Sequence, residues 1–425
     1  MIQRTSFQLG ALFAYLAGGA LACPNQIYQT TLDTGLRVYV AQSHNPTPGL
    51  LHMFWLGSGG TDDPPGRSGT AHMLEHLVAR RDVEGSLERF GAYGNAATSF
   101  DYTVYWEHFP AQYAEEVMRT RARSLRPPDF DQAMVERERG VVFSEKYGEL
   151  ERNPLSNVYD DLRGQLYGTK SYGTQVIGDH DDLLKITPEE VNAYFEKHYD
   201  PLNAFVLLVG NIDRDRAFAL AEKAYSGFGA AKAPLDVRST KYEAKRYIRV
   251  WKTNVHDARR NLPEIRAREL LALVLGGDGR SGRLYRKLVI DEEIATSVGV
   301  SYRPNEPGFY IFGRPLAPAD DKTFDEAVFA AIESIAQTGP TQTEMDWGRK
   351  QMRAEWLFGC DALMGAGFTI GEELLLGVPP ADIRSRDRTI QALMKADVQD
   401  AARELIGEMM SVSASVGPLR NGENQ

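Results

Sequence analysis

Apolar and polar positions alternate in short blocks at the start of the chain and settle into longer helical rhythms after it. Ile27 to Leu32, Leu36 to Ala41 and Leu50 to Trp55 hold the aliphatic and aromatic residues of three strands, with Asp33-Thr34-Gly35 as the first turn. Gly57 to Gly69 is rich in Gly, Pro and Asp and reads as a loop. A helix follows, with Ser68 or Thr70 placed to cap it and Arg80-Arg81 suited to its far end. A short helix around Leu87 precedes Gly91 to Trp106, an extended segment and strand. Pro110 to Leu125 is helical and stops at Pro127-Pro128, and Asp131 starts the next helix, which runs through Glu145.

Thr187-Pro188-Glu189-Glu190 is a helix start with Thr as N-cap and Pro at the first position. Phe205 to Val209 is a continuous apolar run of the buried-strand type, ending at Gly210-Asn211. The second half repeats this order. Lys395 to Asp400 and then Met410 to Val416 echo Thr187 to Asn192 and Phe205 to Val209, and Thr341-Gln342-Thr343-Glu344 is a capping box.

At 425 residues the chain is too long for one compact core. The small, polar, proline-containing stretch Gly227 to Lys245 marks the junction, giving domains at 23–230 and 246–425 with a linker at 231–245. Residues 1–22 read as a secretory signal, with Arg4, an apolar run from Leu9 to Leu21 and an Ala20-Leu21-Ala22 cleavage site. That run is too short for a stable membrane span, so a periplasmic or secreted protein is expected. Cys23 and Cys360 are the only cysteines, so no disulfide framework supports the fold and at most one pair can form. Cys23 directly after the cut is also a lipidation position, although Ala20 rather than Leu stands three before it. A net charge of −10 argues against a nucleic-acid partner.

The candidate chemistry lies in His72-Met73-Leu74-Glu75-His76. On a helix His72 and His76 project from one face, one turn apart, where two imidazoles can share a zinc ion. Glu75 flanks the same face and is placed to take a proton from a water that the ion polarises. Zinc needs a third protein ligand. Glu138 and Glu145, two turns apart on the later helix, can each reach it by spacing alone. The strand behind the metal helix can pair with an extended peptide through its open backbone groups.

Three pieces in this order, H-M-L-E-H, G-N-A-A-T-S-F-D-Y-T-V-Y and E-R-E-R-G-V-V-F-S-E, resemble the pitrilysin (insulinase) family of zinc metallopeptidases. The likeness is nearest to the mitochondrial-processing-peptidase branch and its bacterial relatives. It implies an α+β fold of two homologous domains, each a mainly antiparallel sheet packed by helices. It also implies one Zn2+ per chain held by His72, His76 and Glu145, with Glu75 as catalytic base. Glu138 would steady a zinc histidine, and Asn95 with Ala96 and Ala97 would hold substrate backbone. The interval from His76 to Glu145 is shorter than usual in the family, within the connector before Gly91.

The resemblance also implies an Arg and a Tyr, seven apart, contributed by the second half. Val289 and Thr296 stand at those positions, and neither can make the same contacts. The expectation is therefore a zinc-bearing subunit of a heterodimer whose homologous partner supplies the Arg/Tyr pair, acting on unfolded or extended peptides. The alternatives are a non-catalytic peptide-binding or scaffold subunit, and a peptidase dedicated to one peptide-derived cofactor.

Overall fold

The computed structural model describes residues 26–42, 49–81, 87–152, 156–168, 171–229, 245–246, 248–252, 258–276, 282–304, 308–315, 321–360, 362–407 and 411–414. The expected leader, Cys23, the 231–244 part of the linker and the side chain of Thr296 lie outside them.

Strands β1 (Gln26–Thr31), β2 (Arg37–Gln42), β3 (Gly49–Leu56), β4 (Tyr93–Thr98), β5 (Thr103–Pro110) and β6 (Ala204–Gly210) form a six-stranded sheet in the order β1-β2-β6-β3-β5-β4. Only β2 and β6 run parallel. In the second half β7 (Lys245–Arg246), β8 (Ile248–Lys252), β9 (Ala295–Arg303), β10 (Gly308–Pro315) and β11 (Ser411–Ala414) are ordered β7-β11-β8-β10-β9. There too one pair, β7 and β11, is parallel. From β2 onward the two orders match strand for strand, and β1 is the extra strand of the first sheet. The fold is α+β, two similar halves each built on a mainly antiparallel sheet.

The first sheet is buried on both faces, which is why β3 and β6 read as continuous apolar runs. Leu50, Phe54 and Leu56 of β3 join Val206 and Leu208 in one core. That core is completed by α1 (Thr70–Arg80), α2 (Ala114–Ser124), Val135 and Val142 of α3 (Gln132–Arg152), α4 (Pro188–His198) and α5 (Arg214–Tyr225). Leu51, Met53 and Trp55 alternate to the other face with Phe205, Leu207 and Val209. That face is covered by the second half, through α6 (Leu363–Leu375), which packs on β3 and β6. Glycine makes the approach possible, since a Cβ at Gly371 would lie 2.2 Å from Trp55 Cζ2.

Local signals held well. Thr187 and Thr341 both close full capping boxes, and Asp131 Oδ1 accepts from Met134 N at 2.8 Å at the start of α3. Among the described residues no helix is long and apolar enough to cross a membrane. Cys360 is buried and disulfide-bonded.

Candidate metal centre and active site

Helix α1 follows the Gly-Pro-Asp loop, and its start departs from the expectation that Ser68 or Thr70 caps it. Gly69 is the N-cap, at a φ of +89°, and no side chain of its own can cap the helix. The acceptor comes instead from Asp63, whose two oxygens take the backbone N–H groups of Gly69 and Ala71, both at 2.7 Å. Desolvation, the largest influence, lifts the Asp63 carboxyl well above its usual range even against those donors. Ser68 faces the other way, donating from its hydroxyl to Asp182 at 2.9 Å, and Thr70 donates to the Arg67 carbonyl.

The first turn so fixed carries His72, and the next carries Glu75 and His76. Their Nε2 atoms lie 3.3 Å apart. Glu145 Oε2, from α3, stands 3.6 Å from His72 Nε2 and 3.4 Å from His76 Nε2. Two imidazole nitrogens and one carboxylate oxygen therefore form a nearly regular triangle. Around a tetrahedral ion with bonds of about 2.0–2.2 Å, neighbouring donors stand ~1.6 bond lengths apart, or ~3.3–3.6 Å. The donor set and its edges fit zinc. Among the described residues this is the one cluster of three or more His, Cys, Asp or Glu side chains placed to share an ion.

Glu138, fully buried, lies to one side of this triangle rather than at a corner of it. Its Oε2 lies 3.8 Å from His76 Nδ1, the ring nitrogen away from the triangle, and 3.0 Å from Arg80 Nε; its Oε1 takes Arg137 Nε at 3.0 Å. It sits behind the imidazole, where a carboxylate orients a metal-binding ring. Burial pulls the His76 pKa down, but Glu145, Glu75 and Glu138 together outweigh it and raise the pKa above the ordinary value. The same acidic surroundings attract a cation.

Glu75 is buried, and its Oε2 accepts from Thr98 Oγ1 at 2.8 Å. Thr98 ends β4, the edge strand, which is bonded to β5 on one side only and packs against α1. Behind Glu75 the hydroxyls of Tyr105 and Tyr199 meet at 2.6 Å; burial, and then the Glu75 charge among lesser influences, keeps both protonated. Asn95 is exposed on β4, with Ala96 and Ala97 half-buried beside it, and Asn95 Oδ1 accepts from Ala96 N at 2.9 Å. In the second half Val289 lies in a π-helical turn, Arg286–Asp291, and packs against the local core. Two further residues support this arrangement without standing out in the sequence: Thr98 lies within the run Gly94 to Tyr105, and Asp63 acts through a loop whose shape hydrophobic patterning does not give.

The profile described as "Insulinase (Peptidase family M16)" matches residues 39–180, and "Peptidase M16 inactive domain" matches residues 185–352. A zinc protease of Streptomyces coelicolor is 23% identical over 419 residues, spanning 93% of this chain and 90% of the relative. The probable mitochondrial-processing peptidase subunit beta of Schizosaccharomyces pombe is 22% identical over 418 residues, 92% of this chain and 91% of that protein. The crystal structure of a protease from Helicobacter pylori superposes with a TM-score of 0.79 at 20% identity, covering 92% of this chain and 99% of that one. With two profiles of one family running in order through both halves, the chain belongs to the insulinase family, peptidase family M16.

Proposed function

We propose that this chain is a zinc-dependent endopeptidase subunit that cleaves extended peptides. The observation that carries the reading is the triangle of His72 Nε2, His76 Nε2 and Glu145 Oε2, with edges of 3.3–3.6 Å, beside a buried carboxylate at Glu75. His72, His76 and Glu145 would hold the ion, with Glu138 orienting His76. Zinc bound there supplies a Lewis acid that polarises the scissile carbonyl and the attacking water. Glu75 takes the proton from that water on its carboxylate and returns it to the leaving amine. Thr98 fixes the direction of the Glu75 carboxylate. Substrate lies along the open edge of β4, its backbone held near Asn95, Ala96 and Ala97, which selects extended over folded chains.

Val289 and Thr296 offer no equivalent of an Arg/Tyr pair, so a homologous second chain supplies those donors and completes the site. The fission-yeast relative is named as a subunit, which supports an assembly of this kind. The leader pattern in residues 1–22 supports a periplasmic or secreted location. The domain limits 23–230 and 246–425 form part of the same proposal. The intact triangle favours an enzyme over a non-catalytic scaffold.

The test is Glu75→Gln, assayed on a library of unstructured peptides with and without a co-expressed homologous subunit. Zinc content should match the parent while turnover falls by ~100-fold or more. Unchanged turnover would remove Glu75 from the role.

A further inference from the structure

Glu145 reaches the metal triangle with a side chain that is 48% exposed, so its own packing does little to hold it. Its position depends on where α3 lies. The next residue, Lys146, is only 9% exposed, and lysine is almost never buried without partners. Its ammonium donates to the Gly178 carbonyl at 2.9 Å and to the Gln175 side chain.

The same segment, residues 175–183, grips the start of α1. Asp182 Oδ2 accepts from the Ser68 hydroxyl at 2.9 Å and from Ser68 N at 3.2 Å, and Asp179 N donates to Ser68 Oγ at 2.9 Å. Gly69 and Gly178 interlock, since a Cβ on Gly69 would lie 2.8 Å from the Gly178 Cα. One short segment is thus fastened to both helices that supply the metal donors.

Several contacts hold α3 near this level. Val142 is buried in the core, Phe143 packs on His180 with ring centroids 4.9 Å apart, and Tyr147 Oη lies 2.9 Å from His180 Nδ1. To these Lys146 adds a buried charged tie. Arg139 ties α3 to the Ile186 carbonyl at 2.8 Å. Lys146 lies seven residues further on, ~10 Å along the axis at 1.5 Å per residue. A tilt of roughly 6° about the first tie would move the Glu145 turn by ~1 Å, against a tolerance of ~0.2 Å in metal–ligand distances.

Resting on the metal reading above, we propose that Lys146 is a positioning residue of the metal centre. Its buried ammonium clamps α3 to the segment that also holds α1, and so sets the distance from Glu145 to the two imidazoles. Zinc affinity of the full chain, measured by competition against a chromophoric chelator, tests it alongside the melting temperature of the metal-free protein.

Lys146→Met should bind zinc ~10–100-fold more weakly. Lys146→Arg, which keeps charge and donors, should stay within about threefold of the parent. Ser68→Ala loosens the other end of the clamp without touching α3, and should weaken zinc several-fold while the metal-free protein stays folded. Parental affinity in both Lys146→Met and Ser68→Ala would overturn the proposal and leave the metal reading standing. So would equal losses in Lys146→Arg and Lys146→Met, because the volume of the site rather than its charge would then matter. A parent chain that binds no zinc would overturn both.

Discussion

Replacing Asp63 by alanine removes the acceptor for two backbone N–H groups at the start of α1, Gly69 N and Ala71 N, each now held at 2.7 Å. Lost N-caps cost ~0.5–2 kcal/mol, and hydrogen bonds to charged groups ~1.5–3 kcal/mol each. The Asp63 carboxyl is strongly desolvated in the fold, and its removal relieves that cost, so about 2 kcal/mol is the expected net cost. His72 sits in that first turn, so a frayed turn must be rebuilt before zinc can bind. At 1.4 kcal/mol per decade, the cost appears as a roughly 30-fold weaker zinc affinity. Chelator competition on the purified variant measures it, with circular dichroism confirming the fold. A folded Asp63→Ala protein with zinc affinity within twofold of the parent would show that Asp63 does not hold the histidine turn.

Three further outcomes follow from the geometry. Thr98→Val deletes the donor to Glu75 while leaving the metal triangle intact; zinc content should be unchanged and kcat lower by about tenfold, from a charge-assisted hydrogen bond of ~1.5 kcal/mol. His198 is 1% exposed, bonded to Ser58, and burial lowers its pKa to about 4. Its unfolded value is ~6.5, so between pH 6.5 and about 4 only the unfolded chain takes the proton. That contribution to stability is complete above pH 6.5 and is lost on acidification toward pH 4, by about 3 kcal/mol in all; denaturant titrations should show the loss, and His198→Gln should lessen it. Gly371→Ala drives a methyl group into Trp55, where α6 crosses the first sheet, and should destabilise the chain by ~1–3 kcal/mol in urea melts without altering zinc affinity.

What the sequence disclosed was set by how local each feature is. His72, Glu75 and His76 lie on two turns of one helix, so their shared face follows from periodicity alone. The capping boxes at Thr187 and Thr341 are complete within four residues, and both form. Glu138 and Glu145 share a face by spacing, yet only the placement of α3 against α1 separates the residue behind His76 from the one facing both imidazoles. Ser68 and Thr70 are the nearest side chains able to cap α1, and both lose to Asp63, because the Gly-Pro-Asp loop folds back in a way that no periodicity records. The seating of α6 on β3 and β6 joins residues more than 150 positions apart in the chain. Its one trace was the apolar run Phe205 to Val209, which needed cover on both faces.

Anomalous diffraction at the zinc edge, from a crystal of the full chain grown with zinc, tests the central claim most directly. A single strong peak is expected within bonding distance of His72 Nε2, His76 Nε2 and the Glu145 carboxylate, with the Glu75 carboxylate beside it and not bonded to it. No peak there, or a peak with the Glu145 side chain turned to solvent, would contradict the account.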